Sequence, residues 1–435
     1  MNKILIRNIY HNGIRKDILI EGNKIAAIVD AAPAACSDEK VIESMSDSIE
    51  NSGQLKVIDG KGKAIIPGFA NMHTHAAMTL MRGTQEDVNL KHWLKAIWKQ
   101  EKKLDDELVY WGTKLACVEM IKTGTTCYND QYWRPDSAVK AASEIGLRSW
   151  HSYVFLDAFN KKKAALQRDE CQAMFEEAKK WKPITRFTVS VHAPYTVSAE
   201  NIKWASEFAR NNNLILHIHI AETGQERLDS LRKHHCNPVE YLDKMGIFGP
   251  NIVAAHCVWI DEEGIATLGR NKVNVVHNIN SNLKLASGYK FKFKELADAG
   301  ANVCIGTDGC ASSNNLDMLE AVKTSALVQK AWRKDPMAIP LSQLFKSATL
   351  NGYKALGLNG GVISVGALAD VCLIDIDNYA FTPNVNFLAN LIYSAHSDCV
   401  DTVICDGKIL MQNRKIRGEE NILNEVRRLY KKILL

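Results

Sequence analysis

Ile65-Ile66-Pro67-Gly68-Phe69-Ala70-Asn71 is a short apolar run that ends directly in Met72-His73-Thr74-His75. Runs of this length and composition read as strands when turn residues punctuate them. The same form recurs at Thr125–Asn129, Arg148–Phe155, Arg186–Val191, Leu214–Ile220, Ile252–Ala255, Val273–Val276 and Ala301–Gly306, which makes eight in all. Helix-like periodicity fills most of the intervals, at 104–122, 169–181, 198–212, 261–270 and 292–300. Eight strands alternating with helices predict an α/β fold, a parallel (β/α)8 barrel over residues 64–360.

Outside that span the rhythm changes. Ile4, Ile6, Ile18-Leu19-Ile20 and Ile25–Ile28 are short strands divided by turns at Asn12-Gly13 and Glu21-Gly22-Asn23. Gly361-Val362-Ile363, Asp370–Ile376 and Thr402–Cys405 resemble them in length and punctuation. Residues 1–63 and 361–435 are therefore expected to join in one small β-sandwich domain, closed by a helix at about 419–433. The stretch 31–53 is rich in Ser, Asp, Glu and Ala and reads as an exposed loop.

Barrel enzymes carry their reactive groups at the C-terminal ends of the strands. Side chains alternate along a strand with period two, so His73 and His75 face one side. The other tips hold His192, His217 with His219, His256, His277 and Asp308. Seven of the 13 histidines thus fall at predicted strand ends, where random placement would scatter them. Neutral imidazole and carboxylate are the donors a divalent ion such as Zn, Fe or Mn takes. His73, His75, His219 and Asp308 supply four donors, and an ion held there lowers the pKa of its water towards ~7. Asp308 can also accept a proton from that water. Glu222, three residues past His219, is placed to move protons without ligating, and His256 to orient the water or polarise an intermediate. His217 reads as a core residue or a support for a ligand; His277 as a support or a substrate contact. His11, His92, His151, His234, His235 and His396 are expected at the surface or in packing.

Composition limits the rest. The 435 residues are 46% hydrophobic and 24% charged with net charge +5, ordinary for a globular enzyme. The densest basic stretch, Lys161-Lys162-Lys163, reads as a solvated loop, so no nucleic-acid surface is expected. No apolar stretch reaches the roughly 18 residues of a membrane span, and the N-terminus turns polar too early for a signal peptide. The 11 cysteines are scattered without a C-x-x-C pair. That usage suits a reducing cytoplasm, with Cys257 and Cys304 as packing residues.

Ile66 to His75, His219 with Glu222, Ala255-His256-Cys257, His277-Asn278 through Ser281-Asn282-Leu283-Lys284-Leu285, and Gly306-Thr307-Asp308-Gly309 together resemble the amidohydrolase superfamily, over nearly the whole chain. Among its branches the sequence is similar to the 5′-methylthioadenosine/S-adenosylhomocysteine deaminases and the related triazine chlorohydrolases. The resemblance implies hydrolytic deamination of an adenine-type nucleoside by attack on C6, with Glu222 giving a proton to the ring and Glu222 and Asp308 both facing the substrate. It implies one divalent ion, zinc foremost, because strand four ends in His192 rather than the carbamylated Lys of two-metal members. His192 would contact purine or ribose, and Glu101 would bind the ribose hydroxyls, although spacing alone makes Glu101 a solvent-facing helix residue. Trp93 packs either on the base or on a neighbouring helix. The sequence departs from the resemblance at strand three, where the family often has an Arg. Here the tip reads Trp150-His151-Ser152-Tyr153-Val154-Phe155, leaving Tyr153 or the more distant Arg168 to stand in. Tyr153 cannot hold a carboxylate as a guanidinium fork does, and Arg168, which could, reads first as a surface residue, which weakens the case for a homocysteine-bearing substrate. The alternatives are the same chemistry on another heterocycle (a guanine-type base, a pterin or a triazine) and an inactive scaffold. The partner implied is a small heterocycle, and the resemblance favours a homo-oligomer.

Overall fold

The computed structural model describes residues 3–31, 40, 55–88 and 90–434; the expected 31–53 loop lies outside them except at residues 31 and 40. The expected strand Ile65–Asn71 divides at Gly68. β1 (Lys3–His11), β2 (Ile14–Glu21), β3 (Lys24–Asp30), β4 (Leu55–Asp59) and β5 (Lys63–Pro67) precede the barrel, so Ile65 and Ile66 belong to β5. β6 (Phe69–Thr74) is the first barrel strand. A Cβ on Gly68 would stand 2.0 Å from Thr126 Oγ1, so only glycine lets the chain pass there.

The barrel continues through β7 (Thr125–Asp130), β8 (Arg148–Phe155), β9 (Thr185–Val191), β10 (Leu216–Ile220), β11 (Ile252–His256), β12 (Asn274–His277) and β13 (Asn302–Ile305). Each is hydrogen-bonded in parallel to the next. The seam between β13 and β6 closes above the strands. Asp308 N donates to His73 O at 2.9 Å, and Asn71 both accepts from Thr307 N (3.0 Å) and donates to Thr307 Oγ1 (2.6 Å). Ala70, Met72, Trp150, Val276 and Tyr353 fill the lower interior, so this is a packed core and not a pore. Lys161-Lys162-Lys163 is not a loop: it is the exposed first turn of the helix Lys161–Ala178, capped by Asn160.

β14 (Val371–Asp375), β15 (Val400–Cys405), β16 (Lys408–Gln412) and β17 (Lys415–Ile416) return to join the N-terminal strands in one nine-stranded sheet. Period-two alternation gives it two apolar faces. Ile4, Ile6, Ile18, Ile20, Ile65, Val371, Leu373 and Ile404 make its own core, while Ile66, Cys372, Ile374, Val403 and Cys405 merge with the barrel core. A buried ion pair ties the two parts. Arg148, at the start of β8, donates to Asp370 Oδ2 at 2.7 Å and Oδ1 at 3.2 Å, and to Asp406 Oδ1 at 2.9 Å. Helices Glu419–Leu429 and Lys431–Leu434 end the chain.

Candidate active site

His73, at the tip of β6, is fully buried, and His75 follows one turn of the pleat later. Their Nε2 atoms stand 3.4 and 3.2 Å from the same atom, Asp308 Oδ1. His219, from the tip of β10, brings its ring centroid to 4.8 Å from His73 and 5.5 Å from His75. Donor atoms of His73, His75 and His219 lie within 4.8 Å of one another, as do those of His73, His256 and Asp308. His73 Nε2 is buried with no hydrogen-bond partner. An orphaned imidazole nitrogen beside a carboxylate and two further imidazoles is a donor set that fits a divalent ion.

Hydrogen bonds orient the rings. His75 Nδ1 donates to Gln131 O and His219 Nδ1 to His192 O, both at 2.6 Å. A carbonyl only accepts, so each ring keeps a proton on Nδ1, and in its neutral form each turns a lone pair on Nε2 inward; for His75 that form follows loss of the second proton, which Asp308 holds in place until a cation replaces it. Burial pulls the His73 pKa down to about 4 and His192 to about 3, and holds His219 well below the usual imidazole range. Burial opposes charge on His75 as well, but Asp308 outweighs it and lifts the value to about 9. Burial likewise works against charge on Asp308, yet its contacts with His73 and His75 keep it well below the usual carboxyl range.

Glu222 stands beside this group, its Oε2 3.9 Å from His256 Nε2. Burial raises its pKa; His256 and His75 pull it back in part. Glu226 fixes the turn that presents it, a role sequence reasoning missed. Its two carboxylate oxygens accept from Ala221 N at 2.8 Å and Glu222 N at 2.9 Å. The spacing is a helix N-terminal signal, since Thr223 caps the helix Gly224–His234 that Glu226 opens. His256 Nδ1 meets Asn282 Nδ2 at 3.0 Å.

The helix Leu90–Glu101 forms one wall of the cavity. Leu90, Trp93, Leu94, Ile97, Trp98 and Glu101 all line it, at the spacing of a single helical face. Glu101 therefore faces the cavity and not solvent, and burial raises its carboxyl pKa. Trp93 lies in the same wall, its indole donating to Ala311 O at 3.2 Å. Tyr132, Tyr195, Leu285 and His192 also line the cavity, and the 3.6-residue periodicity of 90–101 was the signal that could have revealed most of the helical wall.

Several expectations need correction. Val154, not Tyr153, is the cavity residue at the tip of β8. Tyr153 points outward into the helix layer, where its hydroxyl donates to Glu170 at 2.6 Å. Arg168 is engaged with Glu200 and Asn201, away from the cavity. His277 does not line the cavity, and its ring stacks on Phe291 at 4.1 Å. His217, by contrast, sits where its reading as a core residue or a support for a ligand put it, beneath the cluster and 2.8 Å from His73 Nδ1.

A parallel barrel with imidazoles and a carboxylate gathered at one mouth defines a class of metal-dependent hydrolases, and the chain belongs to one of its families. It is a member of the amidohydrolase family, whose profile matches residues 64–410. A 5′-deoxyadenosine deaminase of Methanoregula boonei is 43% identical over 371 residues, 85% of this chain and 84% of that one. A 5-methylthioadenosine/S-adenosylhomocysteine deaminase of Archaeoglobus fulgidus is 43% identical over 368 residues, covering 84% and 87%. The crystal structure of an adenosine deaminase from Xanthomonas campestris with bound zinc superposes with a TM-score of 0.89 at 29% identity, covering 100% of this chain and 98% of that one.

Proposed function

We propose that this protein hydrolytically deaminates adenine-type nucleosides to the inosine analogue and ammonia, using one zinc ion. The convergence of His73, His75, His219 and Asp308, with the Nε2 lone pairs of His75 and His219 turned towards a common point, carries the reading. These four residues would hold the ion, and three imidazoles with a carboxylate suit zinc. When bound, the ion lowers the pKa of a water towards ~7 and so supplies a nucleophile at neutral pH.

The chain's own residues do the rest. Asp308 accepts a proton from the attacking water. Glu222, whose burial favours its protonated form, gives its proton to the purine ring nitrogen next to C6, passes the proton that Asp308 took from the water to the departing amine, and is reprotonated by the hydroxyl left on C6 as the carbonyl forms. His256, beside Glu222, steadies the oxygen added at C6. Glu101, at the inner end of the cavity helix, accepts hydrogen bonds from the ribose hydroxyls, and His192 borders the nucleoside. The apolar wall and Val154 leave no Lys or Arg among the described lining residues. Uncharged 5′ groups, as in 5′-deoxyadenosine and methylthioadenosine, therefore fit better than the charged tail of adenosylhomocysteine.

Zinc quantification paired with ammonia release across purine nucleosides, free bases, pterins and triazines tests this. Near one zinc per chain and turnover of adenine nucleosides is the expected result. Turnover confined to other heterocycles overturns the substrate class, and protein that neither holds nor regains zinc overturns the metal site.

A further inference from the structure

His75 and His219 rest their Nδ1 atoms on carbonyls, but His73 does not. Its Nδ1 faces another imidazole nitrogen, His217 Nε2, at 2.8 Å, and both rings are fully buried. An imidazole nitrogen accepts or donates according to tautomer, so this contact leaves the His73 proton undecided where the carbonyls decide it. Only when His217 Nε2 accepts does His73 hold its proton on Nδ1 and offer Nε2 as a lone pair. His217 then carries its own proton on Nδ1, which lies 3.1 Å from the side-chain amide of Asn129. Asn129 Oδ1 is buried without a partner, and a half-turn of the amide, which gives up the long 3.3 Å bond from Nδ2 to Met72 O, brings it to that proton.

We propose that His217, held by Asn129, is a positioning residue that sets the tautomer of His73 and thereby the affinity of the cluster for its ion. The proposal rests on the metal-site reading above. Two neutral tautomer arrangements share the same two protons. With Asn129 donating through Nδ2, both rings carry hydrogen on Nε2, and that of His73 faces Asp308. With Asn129 accepting through Oδ1, both carry it on Nδ1, and His73 Nε2 is free to ligate.

The test measures zinc affinity by competition with a chromophoric chelator, alongside circular dichroism and thermal melting. His217→Leu offers no acceptor, and its zinc affinity falls ~10–100-fold, the usual effect of losing a ligand's partner. His217→Gln, whose amide oxygen accepts near the Nε2 position, recovers affinity to within a few-fold of wild type. Asn129→Asp can only accept, so it retains affinity, and it gives a readout independent of how His217→Leu folds. His217→Leu with wild-type affinity, His217→Gln as weak as His217→Leu in a folded protein, or Asn129→Asp loosening zinc would each overturn the proposal. Wild-type protein without zinc affinity instead overturns the metal-site reading itself.

Discussion

Replacing Gly306 by alanine should disable the site through the backbone, without touching any reactive group. A Cβ at Gly306 would lie 2.6 Å from Asn278 Oδ1, 2.8 Å from His73 N and 2.9 Å from His73 O. Two of these atoms are main chain in the strand that carries a proposed ligand, so they cannot swing away. Restoring ordinary contact requires the tips of β6 and β13 to part by about half an ångström, and close-packed interiors transmit such a shift. The same seam holds Asp308, whose N bonds His73 O at 2.9 Å and whose Oδ1 sits between the two Nε2 atoms. Functional groups tolerate roughly 0.5 Å of misplacement, and ~1 Å can cost 10²-fold in rate. Gly306→Ala is therefore expected to lower stability by ~1–3 kcal/mol. Zinc affinity should weaken, and kcat/KM should fall between ~10-fold and ~10²-fold. Thermal melting, chelator competition and ammonia release measure the three effects. Adding Asn278→Ala removes only the amide contact and should leave most of the defect. A Gly306→Ala protein with native zinc affinity and kcat/KM would refute the idea that this seam positions Asp308.

Glu222→Gln should keep its zinc and lose ~10²–10⁴-fold in kcat, read by metal content and ammonia release together. Glu101→Ala should raise KM for nucleosides and spare free bases; an equal effect on both would remove Glu101 from the ribose. Arg148→Met strips the buried Asp370 carboxylate of its counter-charge and should cost ~3–5 kcal/mol in a denaturant titration. Burial works against charge on Asp406, but Asn23 and Arg148 outweigh it and hold its pKa below the ordinary 3.8. Its stabilisation is thus present above 3.8 and vanishes as pH falls through the lowered value. In acid melts, Arg148→Met should therefore lose less stability than wild type over that window.

The tip residues were legible because strand-end position and alternation are local properties. His73 and His75 share a face by period two, and Asp308 follows an apolar run into a glycine-flanked turn. What stayed hidden depends on distant partners. Gly68 divides β5 from β6 only because Thr126 occupies the space a Cβ would need. Tyr153 could not be told from Val154 because every residue of β8 is buried, so alternation of polarity carries no signal there. His277 ends a strand as the clustered histidines do, yet it stacks on Phe291 in the helix layer, whereas the deeper place of His217 was already legible from its position two residues before His219. Glu101 looked solvent-facing while its helix was read without the apolar face that precedes it.

The strand tips also show how donors from remote segments reach one point. Ala221, His256, Cys257 and Asp308 have φ of 50°, 73°, 47° and 63°, a left-handed conformation costing ~1–3 kcal/mol each for non-glycine residues. Three of the four departures are tied to a neighbour through their own N–H. Ala221 N donates to Glu226, Cys257 N to Ile220 O at 2.8 Å, and Asp308 N to His73 O. The last two bonds cross between neighbouring strand tips, one from β11 to β10 and one over the seam from β13 to β6, so those tips are registered against one another. Strain of this kind persists only where surrounding structure over-determines it. The donors are accordingly assembled by the fold, and an ion would meet a cluster whose one undecided feature is the tautomer of His73.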